Sequence, residues 1–210
     1  MLDSKIKVGI IDLGINNTQS IYNAYQSIGC KVKIIKKKQS LTNYNIIVLP
    51  GVGSFKYGIN KLNSLKIKTE IKKFLEKNPK NYLVGICLGM QLFFDQSLEF
   101  GLTKGMSFIQ GQVLPLDLKK CKKVPHMNWN SVLVNKDNKI FGKFSKKKFY
   151  FVHSFFCKPL EQSQVIAQTN HNNFKFCSIV KNNNIIGLQF HPEKSGNEGI
   201  KVLKTINKLI

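Results

Sequence analysis

The sequence contains no arginine. All 33 basic residues are lysine, against only 11 acidic ones, for a formal net charge of +22. Such an excess invites a nucleic-acid reading. Without arginine, however, the chain lacks the planar fork that reads base edges and clamps phosphates. Its lysines are spread from Lys5 to Lys208 and accompanied by 21 asparagines. That is the composition expected of an AT-rich genome. The lysine runs at 36–38 and 146–148 read as solvated loops, and no nucleic-acid partner is expected. No run of about 18 apolar residues is present, so no membrane-spanning helix and no membrane partner are expected. The start, MLDSKIKVGI, has no apolar signal core ahead of the first candidate strand. A cytoplasmic location is therefore expected. No two of the five cysteines (Cys30, Cys87, Cys121, Cys157, Cys177) share C-x-x-C spacing. Neither a metal site nor a disulfide framework is expected, and at most one cysteine should be special.

What is present suffices for a core. The 210 residues are 42% hydrophobic and 21% charged, within the size that one domain accommodates. Residues 6–11, 32–35, 45–49 and 82–86 read as short apolar strands. Helices are expected over 18–28, over 64–77 (Leu65, Ile71, Phe74 and Leu75 on one face, stopped by Asn78-Pro79) and over 87–93. This alternation predicts an α/β fold, a largely parallel sheet with helices on both faces. The second half changes character. Candidate strands at 113–114, 131–134, 149–152, 165–168, 176–180 and 185–190, with a hairpin-like link at 181–184, predict antiparallel pairing. Ile200, Leu203, Ile206 and Ile210 mark one face of a C-terminal helix.

Cys87 lies where a buried strand meets a helix, flanked as G-I-C-L-G by Gly85 and Gly89. A turn of that kind exposes its side chain at the carboxyl edge of a sheet, and a helix N-terminus favours the thiolate. A thiol nucleophile needs a base, and the base needs an orienting acceptor. His191 follows another apolar strand. Glu193 can turn back on its imidazole because Pro192 fixes a bend. Each alone reads as a loop histidine or a surface carboxylate; together they read as a Cys–His–Glu relay. Acyl transfer also needs donors for an oxyanion. Leu88 N–H follows the nucleophile, and the loop Pro50-Gly51-Val52-Gly53 ends another strand.

The segments GICLGMQ (85–91) and QFHPEKSG (189–196) resemble the class I, triad-type glutamine amidotransferases. PGVGSF (50–55), VPHMNWN (124–130) and YFVHS (150–154) narrow the likeness to the branch whose glutaminase feeds a (β/α)8-barrel cyclase of histidine biosynthesis. The likeness runs over residues 6–206 and implies one amidotransferase domain over 1–210. It also implies L-glutamine as the small-molecule substrate, a heterodimer with the barrel, and no cofactor. By the same resemblance Cys87 attacks the glutamine amide, His191 moves the proton and Glu193 orients His191. Val52 and Leu88 form the oxyanion hole, with the Val52 peptide turning on activation. Gly51, Gly53, Gln91, Glu99, His153 and Ser154 shape the glutamine pocket, Gln91 holding the α-carboxylate and Glu99 the ammonium. His126, Met127, Asn128 and Trp129 lie on a loop facing the barrel. Two places depart from the family pattern: D-Y-G-x-G-N is here DLGINN (12–17), and H-M-G-W-N has Asn128 for its glycine.

A second branch, paralogues supplying ammonia for amino or amidino sugars of surface polysaccharides, shares this triad. Two readings belong to other classes. A cysteine peptidase of related fold would cleave peptides and ignore glutamine. A non-catalytic lysine-rich binding protein would show steeply salt-sensitive RNA binding.

Overall fold

The apolar strands alternate their side chains between two separate cores, and that alternation explains the architecture. The computed structural model describes residues 6–14, 18–121, 123–135 and 137–210; positions 15–17 of the DLGINN segment lie outside them. β1 (Lys7–Ile11), α1 (Thr18–Ser27), β2 (Lys31–Ile35) and β3 (Ile46–Gly51) come first. α2 (Phe55–Ser64), α3 (Lys68–Lys77), β4 (Tyr82–Cys87) and α4 (Leu88–Gln91) follow. On one face Val8, Ile10, Ile46, Val48, Val84 and Ile86 pack against Ile21, Ala24 and Tyr25 of α1. On the other, Ile47, Leu49 and Leu83 pack against Phe55 and Leu62 of α2 and Ile71 and Phe74 of α3. Each of these side chains stabilises the fold by about 1.5–3 kcal/mol. A one-residue slip would send them all to the wrong core, so register is strongly specified.

The rest of the chain comprises β5 (Phe94–Ser97), β6 (Thr103–Lys104), β7 (Ile109–Pro115), α5 (Leu118–Cys121), β8 (His126–Val134), β9 (Lys148–His153) and β10 (Phe155–Pro159). It closes with β11 (Val165–His171), β12 (Phe174–Asn182), β13 (Ile185–Leu188) and α6 (Gly196–Asn207). The main sheet has the order β2-β1-β3-β4-β13-β12-β11-β8-β9. It is parallel from β2 to β13 and antiparallel beyond. The expected α/β class and the antiparallel second half are both present. β12 and β13 form the expected hairpin, with Asn183 at φ +50° in its turn. α6 covers the first core through Val202, Leu203 and Ile206.

Three expectations need correction. The helix expected over 64–77 is α3, which starts only at Lys68, and α2 ahead of it was not expected. They are broken at 65–67, where Lys66 takes φ +49°, a left-handed conformation that ends a helix. The helix expected over 87–93 stops at Gln91. The carbonyl of Leu92 is taken by Met106 N–H, and that of Phe93 by the N–H groups of Phe108 and Ile109. The chain is thereby committed to a second, four-stranded sheet, β10-β7-β5-β6, which sequence reading did not separate. Finally, VPHMNWN does not form a loop. From His126 on it is β8, paired antiparallel with β9. Among the described residues no helix is long and apolar enough to cross a membrane.

Candidate active site

Parallel pairing brings the ends of three strands to one edge of the sheet. Gly51 at the end of β3 is in register with Cys87 at the end of β4. β13 pairs with the other side of β4 and leads into Gln189, Phe190 and His191. Cys87 adopts φ +54°, ψ −111°, a conformation disfavoured for any side chain but glycine. The single turn of α4 lies so close beneath β3 that a methyl group on Gly89 would sit 1.7 Å from the Leu49 carbonyl oxygen. Glycine is therefore obligatory there. Because α4 is only four residues long, the helix-dipole support expected for the thiolate is small.

The chief neighbour is His191. Its Nδ1 bonds Glu193 Oε1 at 2.7 Å, and both side chains are about 95% buried. The ring's backbone is pinned on both sides: His191 N donates to Tyr150 O at 2.9 Å, and Ser195 Oγ donates to His191 O at 2.6 Å. His191 Nε2 is buried without a hydrogen-bond partner. Burial alone pushes the imidazole toward neutrality; the adjacent Cys87 and then Glu193 outweigh it, holding the ring well above its ordinary value. Both neighbours thus favour the charged ring, the form that can give a proton to a departing amide nitrogen.

Cys87 opens into a pocket of about 470 Å³ lined by Val52, Gly53, Leu88, Gln91, Glu99, Phe100, Pro125, Val152, His153, Ser154 and Phe155. Gly51, Val52, His191 and Glu193 line a smaller hollow of about 100 Å³ on the other side of the β3 end. Val52 borders both and is 40% exposed. Gly53, at φ +99°, occupies backbone space that other residues rarely enter. Gln91 is buried, its Nε2 donating to Phe155 O at 3.0 Å. Glu99 accepts from Phe55 N–H at the start of α2. Burial raises its carboxyl above the usual range, partly offset by that bond. All expected pocket residues except Gly51 line the larger cavity.

One expected interface residue lies elsewhere. His126 is fully buried, so it does not reach a partner. Its Nδ1 pairs with His153 Nε2 at 3.0 Å, and its ring stacks on His171 at 4.1 Å between centroids. Burial and neighbouring histidines push His126 down to about 4 and His153 down to about 3. His153 Nδ1 therefore donates to Phe155 O, at 2.9 Å. Met127, Asn128 and Trp129 are exposed on β8 as expected. The five cysteines are all free and buried. Phe100, 90% exposed at the cavity mouth, Ser195 behind His191 and Gln189 beside Cys87 were not singled out from sequence. Gln189 alone had a signal, its place two residues before His191.

The glutamine amidotransferase class-I family model matches residues 9–207. The chain belongs to the class I glutamine amidotransferases. It is 37% identical to the imidazole glycerol phosphate synthase subunit HisH of Chlorobaculum tepidum, covering 94% of this chain and 97% of the relative. It is 36% identical to the chloroplastic imidazole glycerol phosphate synthase hisHF of Arabidopsis thaliana, over 94% of this chain but 33% of that longer protein. Among solved structures it superposes on a chain of PurLQS from Thermotoga maritima with a TM-score of 0.73, at 24% identity and 97% and 98% coverage. That last likeness is one of fold. The amidotransferase thus has relatives named as subunits of a synthase.

Proposed function

We propose that this amidotransferase, one domain from end to end, is the cytoplasmic glutaminase subunit of an imidazole glycerol phosphate synthase. The observation that carries the reading is a buried thiol beside a buried His–Glu pair, opening on a pocket of amino-acid size. The Cys87 thiolate attacks the carboxamide carbon of glutamine. The N–H groups of Leu88 and of the turning Val52 peptide receive the oxyanion. The His191 imidazolium gives its proton to the departing nitrogen, releasing ammonia and leaving a Cys87 thioester. Neutral His191 then takes a proton from water; the hydroxide attacks the thioester, glutamate leaves, and the thiolate–imidazolium pair is restored. Glu193 holds the ring in the required tautomer. Gln91 has both Nε2 hydrogens engaged, by Phe155 O and Gln189 Oε1, and offers the substrate only its Oε1, so it joins Glu99 at the ammonium rather than taking the α-carboxylate as expected; Gly51, Gly53, His153 and Ser154 shape the pocket.

The exposed residues Met127 and Trp129 of β8, with Phe100 at the cavity mouth, give the apolar anchors a protein partner needs, and exposed Asn128 lies between the first two. The partner is a (β/α)8-barrel cyclase. It receives ammonia directly and forms imidazole glycerol phosphate and an aminoimidazole carboxamide nucleotide. The substrate phosphates bind the barrel, so the lysine excess has no part in the chemistry. The test is glutamate release by the chain alone, with the barrel subunit of the same genome, and with that barrel plus its phosphoribosyl-formimino carboxamide nucleotide. The expected result is low activity alone and strong stimulation by the loaded barrel. Glutaminase activity blind to that nucleotide would move the acceptor to an amino or amidino sugar. Peptide cleavage without glutamine cleavage would overturn the reading.

A further inference from the structure

Gln189 has no part in the triad, yet it is fully buried against it. Its position follows from β13: the strand ends at Leu188, and Gln189 N–H bonds Ser178 O at 3.0 Å, holding the residue level with the middle of β12. Its carboxamide has polar neighbours at both ends. The orientation of that amide is dictated by the groups around it. Phe155 O is a carbonyl and can only accept, so the Gln91 atom 3.0 Å away is its Nε2. The same nitrogen lies 3.4 Å from Gln189, which must therefore present Oε1 to it. Nε2 of Gln189 is then turned to Cys87 Sγ, at 3.8 Å. Phe155 O also accepts His153 Nδ1–H, so the same chain of bonds continues to His153 and His126.

We propose that Gln189 is a positioning residue that sets the nucleophile and the Gln91 amide of the glutamine pocket with one side chain, donating to Cys87 Sγ and accepting from Gln91 Nε2. The inference rests on the glutaminase reading above. An N–H aimed at sulfur stabilises the thiolate and does nothing comparable for the thiol. Its acceptor end holds the Gln91 amide, so this pocket side chain and the attacking sulfur keep a fixed separation. The other titratable groups facing Cys87 are His191, held by Glu193 on the 192–194 turn, and Cys157 of β10. None of them bonds Gln189, so its contribution is separable from theirs.

The experiment measures the rate at which iodoacetamide alkylates Cys87 as a function of pH, followed on the Cys87 peptide by mass spectrometry, with Cys87→Ala as blank. Glutamine KM is measured beside it. Gln189→Met, similar in volume, loses both contacts. Its alkylation profile is expected to move up by about one pH unit, roughly a tenfold slower reaction at neutral pH, and KM to rise. Gln91→Met is expected to raise KM and leave the alkylation profile in place. Should the methionine variant not fold, Gln189→Glu keeps the shape and the acceptor facing Gln91. It is expected to move the profile in the same direction with KM little changed. Profiles that superimpose on wild type in a folded Gln189 variant would overturn the proposal. Alkylation requires no turnover, so a wild type that never hydrolyses glutamine would sink the glutaminase reading without deciding this one.

Discussion

His191 sits between the Cys87 sulfur and the Glu193 carboxylate, and its protonation reports on both. Burial lowers its proton affinity, while Cys87 and Glu193 raise it. Removing the thiolate in Cys87→Ala leaves burial and Glu193 to compete, so the imidazole should titrate markedly closer to its ordinary value. The ring-proton NMR titration of His191 in wild type and variant measures this; identical curves would show that Cys87 is not its charge partner. The sign for stability follows. A histidine held above its unfolded value stabilises the fold fully below about 6.5, and that contribution fades as pH climbs through the raised value. At this scale the sequence was largely legible. Cys87, His191 and Glu193 stood out because glycines, a proline and strand ends marked them. Two residues did not follow from pattern. His126 is adjacent to exposed Met127, and only its pairing with His153 shows that it turns inward. The contacts of Gln189 depend on the orientation of a second amide 98 positions away, which no local spacing encodes.

The strand pair β8–β9 joins the exposed residues of β8 to the cavity wall, and its first rung is His126 opposite His153. Both are held neutral, about 4 and about 3. Their lowered values mean that the unfolded chain binds protons near pH 6.5 that the fold refuses. Stability must therefore fall as pH drops from about 6.5 toward 4. Between pH 7 and pH 5 the loss is on the order of 2 kcal/mol for each of the two histidines, partly offset by His191, whose raised value works the other way. Urea midpoints across that range should fall in wild type and fall less in His126→Phe, which keeps the stack on Phe151 and His171 without a titrating group. Equal slopes in both would contradict the account. Elements were readable where they were purely apolar, as in β1, β3 and β4, or evenly amphipathic, as in α6. α2 was missed because FKYGINKLNS carries a glycine that packs against Leu92. The small sheet was missed because its strands pair residues far apart in the chain, such as Phe155 with Pro115.

Over the whole molecule the lysines are a background rather than a site. The runs at 36–38 and 146–148 are exposed, and with 11 acids for 33 lysines most have no ion-pair partner. What distinguishes one region of the surface is the cavity at the carboxyl edge of the sheet and the apolar side chains around its mouth. The α/β class was legible from strand–helix alternation. The division into a nine-stranded and a four-stranded sheet was not, because it depends on where helix α4 stops. The central claim, that Cys87 carries the reaction, is tested most directly by trapping the covalent intermediate. The chain, with the barrel subunit proposed above and its nucleotide, is mixed with glutamine, quenched in acid and mapped by mass spectrometry. The account predicts a glutamyl thioester on the Cys87 peptide in wild type and neither adduct nor glutamate release in Cys87→Ala. Glutamate released by Cys87→Ala, or an adduct on any other residue, would contradict it.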